Sequence, residues 1–112
     1  MPEIIIEQIK SGTTEIFRIN GYLDETGGDK LKLLCEKAIS DGRKNFLFNF
    51  QNTPVINSSG LAMFLEIAVK IIDYKSGKIS VTGLSKITKT AFHMIGLLEL
   101  VSEYETEEQG IF

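Results

Sequence analysis

The sequence predicts an α/β protein built on a mixed, mostly parallel β-sheet that opens with an antiparallel hairpin. Three observations predict it. Five short β-type runs interleave with three longer segments whose apolar residues recur at three- and four-residue steps, in the order β-β-α-β-α-β-α-β. Only the first two β-type runs are joined by a short turn. The later ones are separated by helix-length segments, and a strand that returns to its sheet through a helix runs parallel to its predecessor. Finally, 43% of the 112 residues are hydrophobic and 24% are charged, the proportions of a globular chain with enough apolar mass for one core.

Residues 3–10 are rich in isoleucine and end at Ser11-Gly12, which reads as a strand and a turn. Residues 14–20 form the second strand, with Phe17 and Ile19 on one face and Arg18 on the other. Gly21-Tyr22-Leu23-Asp24 then leaves the sheet. From Gly28 to about Asp41, Leu31, Leu34, Cys35 and Ala38 mark an amphipathic helix, with Gly42 as its stop. Residues 45–50 carry apolar side chains on both faces, as a buried central strand does. A polar loop covers residues 51–57, and Ser58 is the expected N-cap of a second helix. Its expected core stripe is Leu61, Phe64, Leu65, Ala68, Ile71 and Ile72, and Gly77 ends it. Ile79-Ser80-Val81 is a short strand broken by Gly83. Ser85 is placed to cap a third helix whose apolar positions are Ile87, Ala91, Met94 and Ile95, with Gly96 as its end. Residues 100–106 alternate like a half-exposed last strand. No Lys or Arg follows Lys89, and the acids Glu99, Glu103, Glu105, Glu107 and Glu108 read as a solvated strand and tail.

Composition excludes several functions. Fifteen acids against twelve bases give a net charge of -3, with no electrostatic footprint for nucleic acid or an anionic membrane. One cysteine rules out a disulfide framework and points to a reducing compartment, the cytoplasm. The start lacks the features of a signal peptide, and no apolar run is long enough to cross a membrane. One histidine and no zinc spacing leave no metal site; without a nucleophile elbow or a Gly-rich phosphate loop, no catalytic residues are expected. Cys35 reads as a core thiol, His93 as a structural or exposed side chain, and Asp24-Glu25 as solvated acids.

The segment with chemical promise is Ile56-Asn57-Ser58-Ser59-Gly60-Leu61, where a buried strand and a loop feed a helix. Functional sites of open α/β sheets favour the loops at the carboxyl ends of the strands. A helix N-terminus offers unpaired N–H groups and partial positive charge, so a phosphate there is favourably placed. Gly60 removes a side chain from the first turn and lets another surface come close. The plainer reading of Ser58 is a helix cap and nothing more.

On these residues the chain resembles the STAS domains, and among them the bacterial anti-sigma factor antagonists. The likeness covers nearly the whole length. It rests on Gly21-Tyr22-Leu23-Asp24, on Asn57-Ser58-Ser59-Gly60-Leu61 and on Ile79-Ser80-Val81-Thr82-Gly83-Leu84. The resemblance implies one domain over residues 1–112, with three to four helices mainly on one face of the mixed sheet. It implies a regulator rather than an enzyme. In such a partner switch, Ser58 is phosphorylated by an anti-sigma factor that is also a serine kinase of the GHKL type. The unphosphorylated form binds that kinase, the phosphorylated form lets go, and a PP2C-type phosphatase resets it. The partner-binding positions carried over are Asp24, Asn57, Ser58, Ser59 and Gly60. No cofactor belongs to this chain, because ATP and Mg²⁺ belong to the kinase.

Asn57 stands where the family pattern has Asp, Asn49 where an acid is common, and Ala62 where Gly often follows the motif Leu. These replacements motivate an alternative: a STAS adaptor that is not phosphorylated, in another signalling complex or as a soluble subunit of a lipid-transport ATPase. A small-ligand or nucleotide binder, using the same helix end as an anion site, is a third reading with no Gly-rich loop behind it.

Overall fold

In a computed structural model, residues 3–111 are described, apart from the side chains of residues 74 and 75. The ends of the expected 1–112 unit, residues 1, 2 and 112, lie outside the described residues. The chain runs β1 (Ile5–Ser11), β2 (Thr14–Asn20), α1 (Glu25–Ser40), β3 (Asn45–Asn52), α2 (Ser58–Lys75), β4 (Lys78–Thr82), α3 (Lys86–Met94) and β5 (Ser102–Tyr104). Single 3₁₀ turns lie at Leu97–Glu99 and Glu108–Gly110. The five strands form one sheet in the order β1-β2-β3-β4-β5. β1 pairs antiparallel with β2, and every other pair is parallel. The predicted fold class and element order are those observed.

The alternation of β3 explains why its apolar residues face both ways. Phe46, Phe48 and Phe50 enter the helix-side core with Phe17, Ile19, Ile79 and Val81, against Leu31, Phe64, Ile67, Ala68, Ile71 and Phe92. Aromatic packing organises that core: Phe64 of α2 meets Phe48 and Phe50 edge-on at 4.9 and 5.2 Å and stacks on Phe92 of α3 at 5.5 Å. On the other face, Ile16, Leu47 and Ser80 lie side by side across β2, β3 and β4, all buried. Gly110 covers Leu47 and Ser80: a Cβ there would stand 2.9 Å from Ser80 Cβ and 3.0 Å from Leu47 Cδ1.

Five local expectations are corrected. α1 starts at Glu25, not Gly28, because Asp24 is its cap and accepts from the Gly27 N–H at 2.9 Å. Two glycines in the first turns hid that start. Gly28 is there for packing, since a Cβ would come within 2.7 Å of Met63 Cβ on α2. The N-cap of α2 is Asn57 rather than Ser58. Along α2 the fully buried positions are Phe64, Ile67, Ala68 and Ile71, while Leu61, Leu65 and Ile72 are only partly buried. On α3 the expected stripe faces outward: Ile87 is 84% and Met94 78% exposed, and Thr88 and Phe92 are buried in its place. The last strand is short; Glu99, Glu103, Glu105 and Glu108 are exposed as expected, while the tail folds back over the sheet and turns Glu107 onto it.

Candidate functional site: the carboxyl edge of the sheet

Three loops meet at the carboxyl ends of β2, β3 and β4, formed by residues 21–24, 53–57 and 83–85. The first two are zipped together as a continuation of the β2–β3 ladder. Gly21 donates to the Asn52 carbonyl at 3.0 Å, Leu23 to that of Val55 at 3.0 Å, and Asn57 back to that of Leu23 at 3.1 Å. Buried Thr53 fastens the crossing, its hydroxyl donating to the Ile19 carbonyl at 2.7 Å.

This zipper sets the start of α2. The Asn57 side-chain oxygen accepts from the Gly60 N–H at 2.8 Å, and its carbonyl accepts from the Leu61 N–H at 2.9 Å. Ser58 and Ser59 therefore open the helix with exposed side chains. Gly60 is buried. A Cβ there would stand 2.2 Å from the Leu23 carbonyl oxygen, so the surface that approaches it is this chain's own backbone.

Asp24 directly follows the zipped residue Leu23, so it reaches the same edge as Ser58. It is half-buried and engaged as the cap of α1, rather than free in a turn. The first turn of α2 holds no acid and its cap is neutral, so the positive end of the helix dipole is not offset there.

The third loop brings in α3. Gly83 has φ +76°, and a Cβ there would lie 2.5 Å from the Gln51 amide nitrogen, which fixes the β4–α3 turn against the end of β3. Ile87 is thereby presented near the same edge, and Val55 of the β3–α2 loop adds a side chain 48% exposed. Sequence reasoning assigned the α3 stripe to the core. The contrary signal was Phe92, the largest apolar side chain of the helix, which lies outside that stripe.

The remaining candidates separate from this edge. Cys35 is buried, and desolvation pushes its thiol far above the ordinary range, as a core thiol requires. His93 is exposed on α3. Asn49 faces the helix-free side of the sheet, where it donates to Glu107 at 2.7 Å. Among the described residues, no group of three His, Cys, Asp or Glu side chains is placed to hold a metal ion. No helix among them is long and apolar enough to cross a membrane. An open cleft of about 340 Å³ beside the α1 N-terminus is lined by Tyr22, Asp24 and Lys30 among others.

The zipped carboxyl-end loops of a mixed sheet thus present an exposed serine on the first turn of α2. The STAS domain family model matches residues 5–110, and the chain belongs to that family. It is 25% identical over 97 residues to the anti-sigma F factor antagonist of Paenibacillus polymyxa, covering 86% of this chain and 82% of that protein. Its fold is similar to that of the Bacillus cell fate determinant SpoIIAA in its phosphorylated form, at TM-score 0.75 and 20% identity over 94% of this chain and 95% of the other. An anti-sigma factor antagonist from Mycobacterium paratuberculosis superposes at TM-score 0.81 and 16% identity, over 96% and 91% of the two chains.

Proposed function

We propose that this chain is an anti-sigma factor antagonist whose binding is switched at Ser58. In its unmodified form it binds an anti-sigma factor that is also a serine kinase of the GHKL type, through the edge carrying Asp24, Asn57, Ser58 and Ser59. Phosphorylation of Ser58 releases it, and a PP2C-type phosphatase restores it. The observation that carries the reading is the exposure of Ser58 on the first turn of α2, with the capping work done by Asn57. The hydroxyl is thus free for modification without loss of the cap. A phosphate adds about -1.5 to -2 charges. The helix end tolerates it in the free protein, while a desolvated interface does not. A penalty of about 2.8 kcal/mol in the complex alone is a hundredfold loss of affinity. The outward apolar side chain of Ile87, with Val55, extends the same edge as contact surface.

The test is phosphorylation by a cognate kinase with ATP, followed by intact mass, for wild type and Ser58→Ala. The expected result is one phosphate on wild type and none on the variant; equal modification of both overturns the site. Binding of Ser58→Asp to the same kinase is expected to fall about a hundredfold.

One observation favours a second reading, a constitutive adaptor such as a subunit of a transport ATPase. Asp24 and Asn57, the polar side chains flanking Ser58 at this edge, are both engaged as helix caps. A stable complex with such an ATPase, unchanged by Ser58→Asp, would select it.

A further inference from the structure

We propose that residues 105–111 are a latch over the helix-free face of the sheet, caught by Glu107 on Arg18 and Asn49, which opens as a unit while the rest of the fold stays closed. The segment is organised within itself. The Gln109 side-chain oxygen accepts from the Glu105 and Thr106 N–H groups at 3.0 and 3.3 Å, and the Gly110 N–H donates to the Glu107 carbonyl at 3.0 Å. Its hold on the sheet is concentrated at few points. Arg18 grips Glu107 with Nε and Nη2, both at 2.8 Å, and Asn49 Nδ2 donates to the same carboxylate at 2.7 Å. The Ser80 hydroxyl donates to the Gly110 carbonyl at 2.8 Å. The chain leading into the latch is β5, which is joined to β4 by only three residue pairs. Beneath the latch lie Leu47 and Ser80, both 0% exposed and both against Gly110, which its opening uncovers.

The chemistry at position 49 sets the catch. Asn49 uses both halves of its amide: Nδ2 donates to Glu107, while Oδ1 accepts from the Gln51 N–H at 2.9 Å. An Asp there has no proton to donate and would set a second carboxylate at hydrogen-bond distance from Glu107. Asn49 is therefore a positioning residue of the latch. Under Glu107→Gln the requirement inverts. A carboxylate at position 49 then accepts from the amide introduced at position 107 and from Arg18.

Hydrogen exchange on the full chain tests this, comparing wild type, Glu107→Gln, Asn49→Asp and the double variant. In wild type, the peptide over 105–111 is expected to exchange about tenfold or more faster than that over β3, a factor equal to roughly 1.4 kcal/mol. Glu107→Gln and Asn49→Asp should each speed it by about another tenfold, with the peptide still exchanging faster than that over β3. The double variant should recover protection relative to Asn49→Asp. Exchange of 105–111 in step with β3 overturns the separate opening, and a double variant as open as Asn49→Asp overturns the reciprocal catch. Should Asn49→Asp not fold, Glu107→Gln decides alone: unchanged protection at 105–111 overturns the proposal.

Discussion

At the scale of single residues, position 57 carries Asn where the family pattern read in the sequence has Asp. Asn57 keeps the geometry of a helix cap and gives up the charge. Asn57→Ala is expected to cost about 1 kcal/mol, the usual worth of such a cap, in a urea unfolding series. Asn57→Asp keeps the cap and adds a favourable charge at the positive helix end, a gain of about 0.3–1 kcal/mol. If charge beside the hydroxyl assists phosphoryl transfer, the same variant speeds modification of Ser58. Three residues on, Gly60 admits no side chain, because the Leu23 carbonyl oxygen occupies the place of a Cβ. Gly60→Ala should cost about 1–3 kcal/mol or more. Ser58→Ala should stay within about 0.5 kcal/mol of wild type, since the exposed hydroxyl is not the cap. A large loss for Ser58→Ala would return the capping role to the serine.

At the scale of elements, α2 and α3 divide their apolar side chains between core and solvent. Phe64 reaches three other rings, so Phe64→Ala is expected to cost about 3–5 kcal/mol. Leu65 is only partly buried, and Leu65→Ala should fall near or below about 2 kcal/mol, the low end for buried leucines. On α3, Ile87→Glu and Met94→Glu should leave thermal stability nearly unchanged, because both side chains already face solvent. Ile87→Glu should weaken capture of the partner. The C-terminal segment gives a pH signature. Hydrogen bonding from Arg18 holds the Glu107 carboxyl below the ordinary range, outweighing its desolvation, with Asn49 adding to the effect. A carboxylate depressed in the folded state stabilises above its unfolded pKa, and that contribution is lost as the pH falls through the folded value. The stability difference between wild type and Glu107→Gln should thus be full at neutral pH and shrink toward zero in acid, measured by denaturation at stepped pH.

At the scale of the whole molecule, the sheet presents two unlike ends and two unlike faces. The helix-side face is sealed by aromatic packing, and the opposite face by a short acidic segment. The carboxyl edge gathers Asp24, Asn57, Ser58 and Ser59 from loops far apart in sequence. Titration of a labelled kinase partner against wild type, Ser58→Asp and Ile87→Glu should show both variants weakened. High salt should rescue neither, since one loss is the penalty of a desolvated charge and the other of buried apolar contact.

Much of this was legible before any coordinates. The order of elements along the chain, the parallel crossovers, the buried β3 and the serine at a helix start follow from periodicity and turn residues, which are local properties. The resemblance placed Asp24 and Ser58 at one edge, and the Leu23–Asn57 zipper supplies the physical link. What only the tertiary structure decided are the choices between near-equal local options. Asn57 and Ser58 are both good caps, and the zipper to Leu23 selects Asn57. Two apolar stripes compete on α3, and the ring of Phe64 selects the one carrying Phe92. The acidic tail closes a short turn on itself, but what draws it onto the sheet is Arg18 and Asn49, 89 and 58 residues away from Glu107. Local pattern fixes which elements form. Which of their faces is buried depends on partners distant in sequence, and these meet only once the sheet is built.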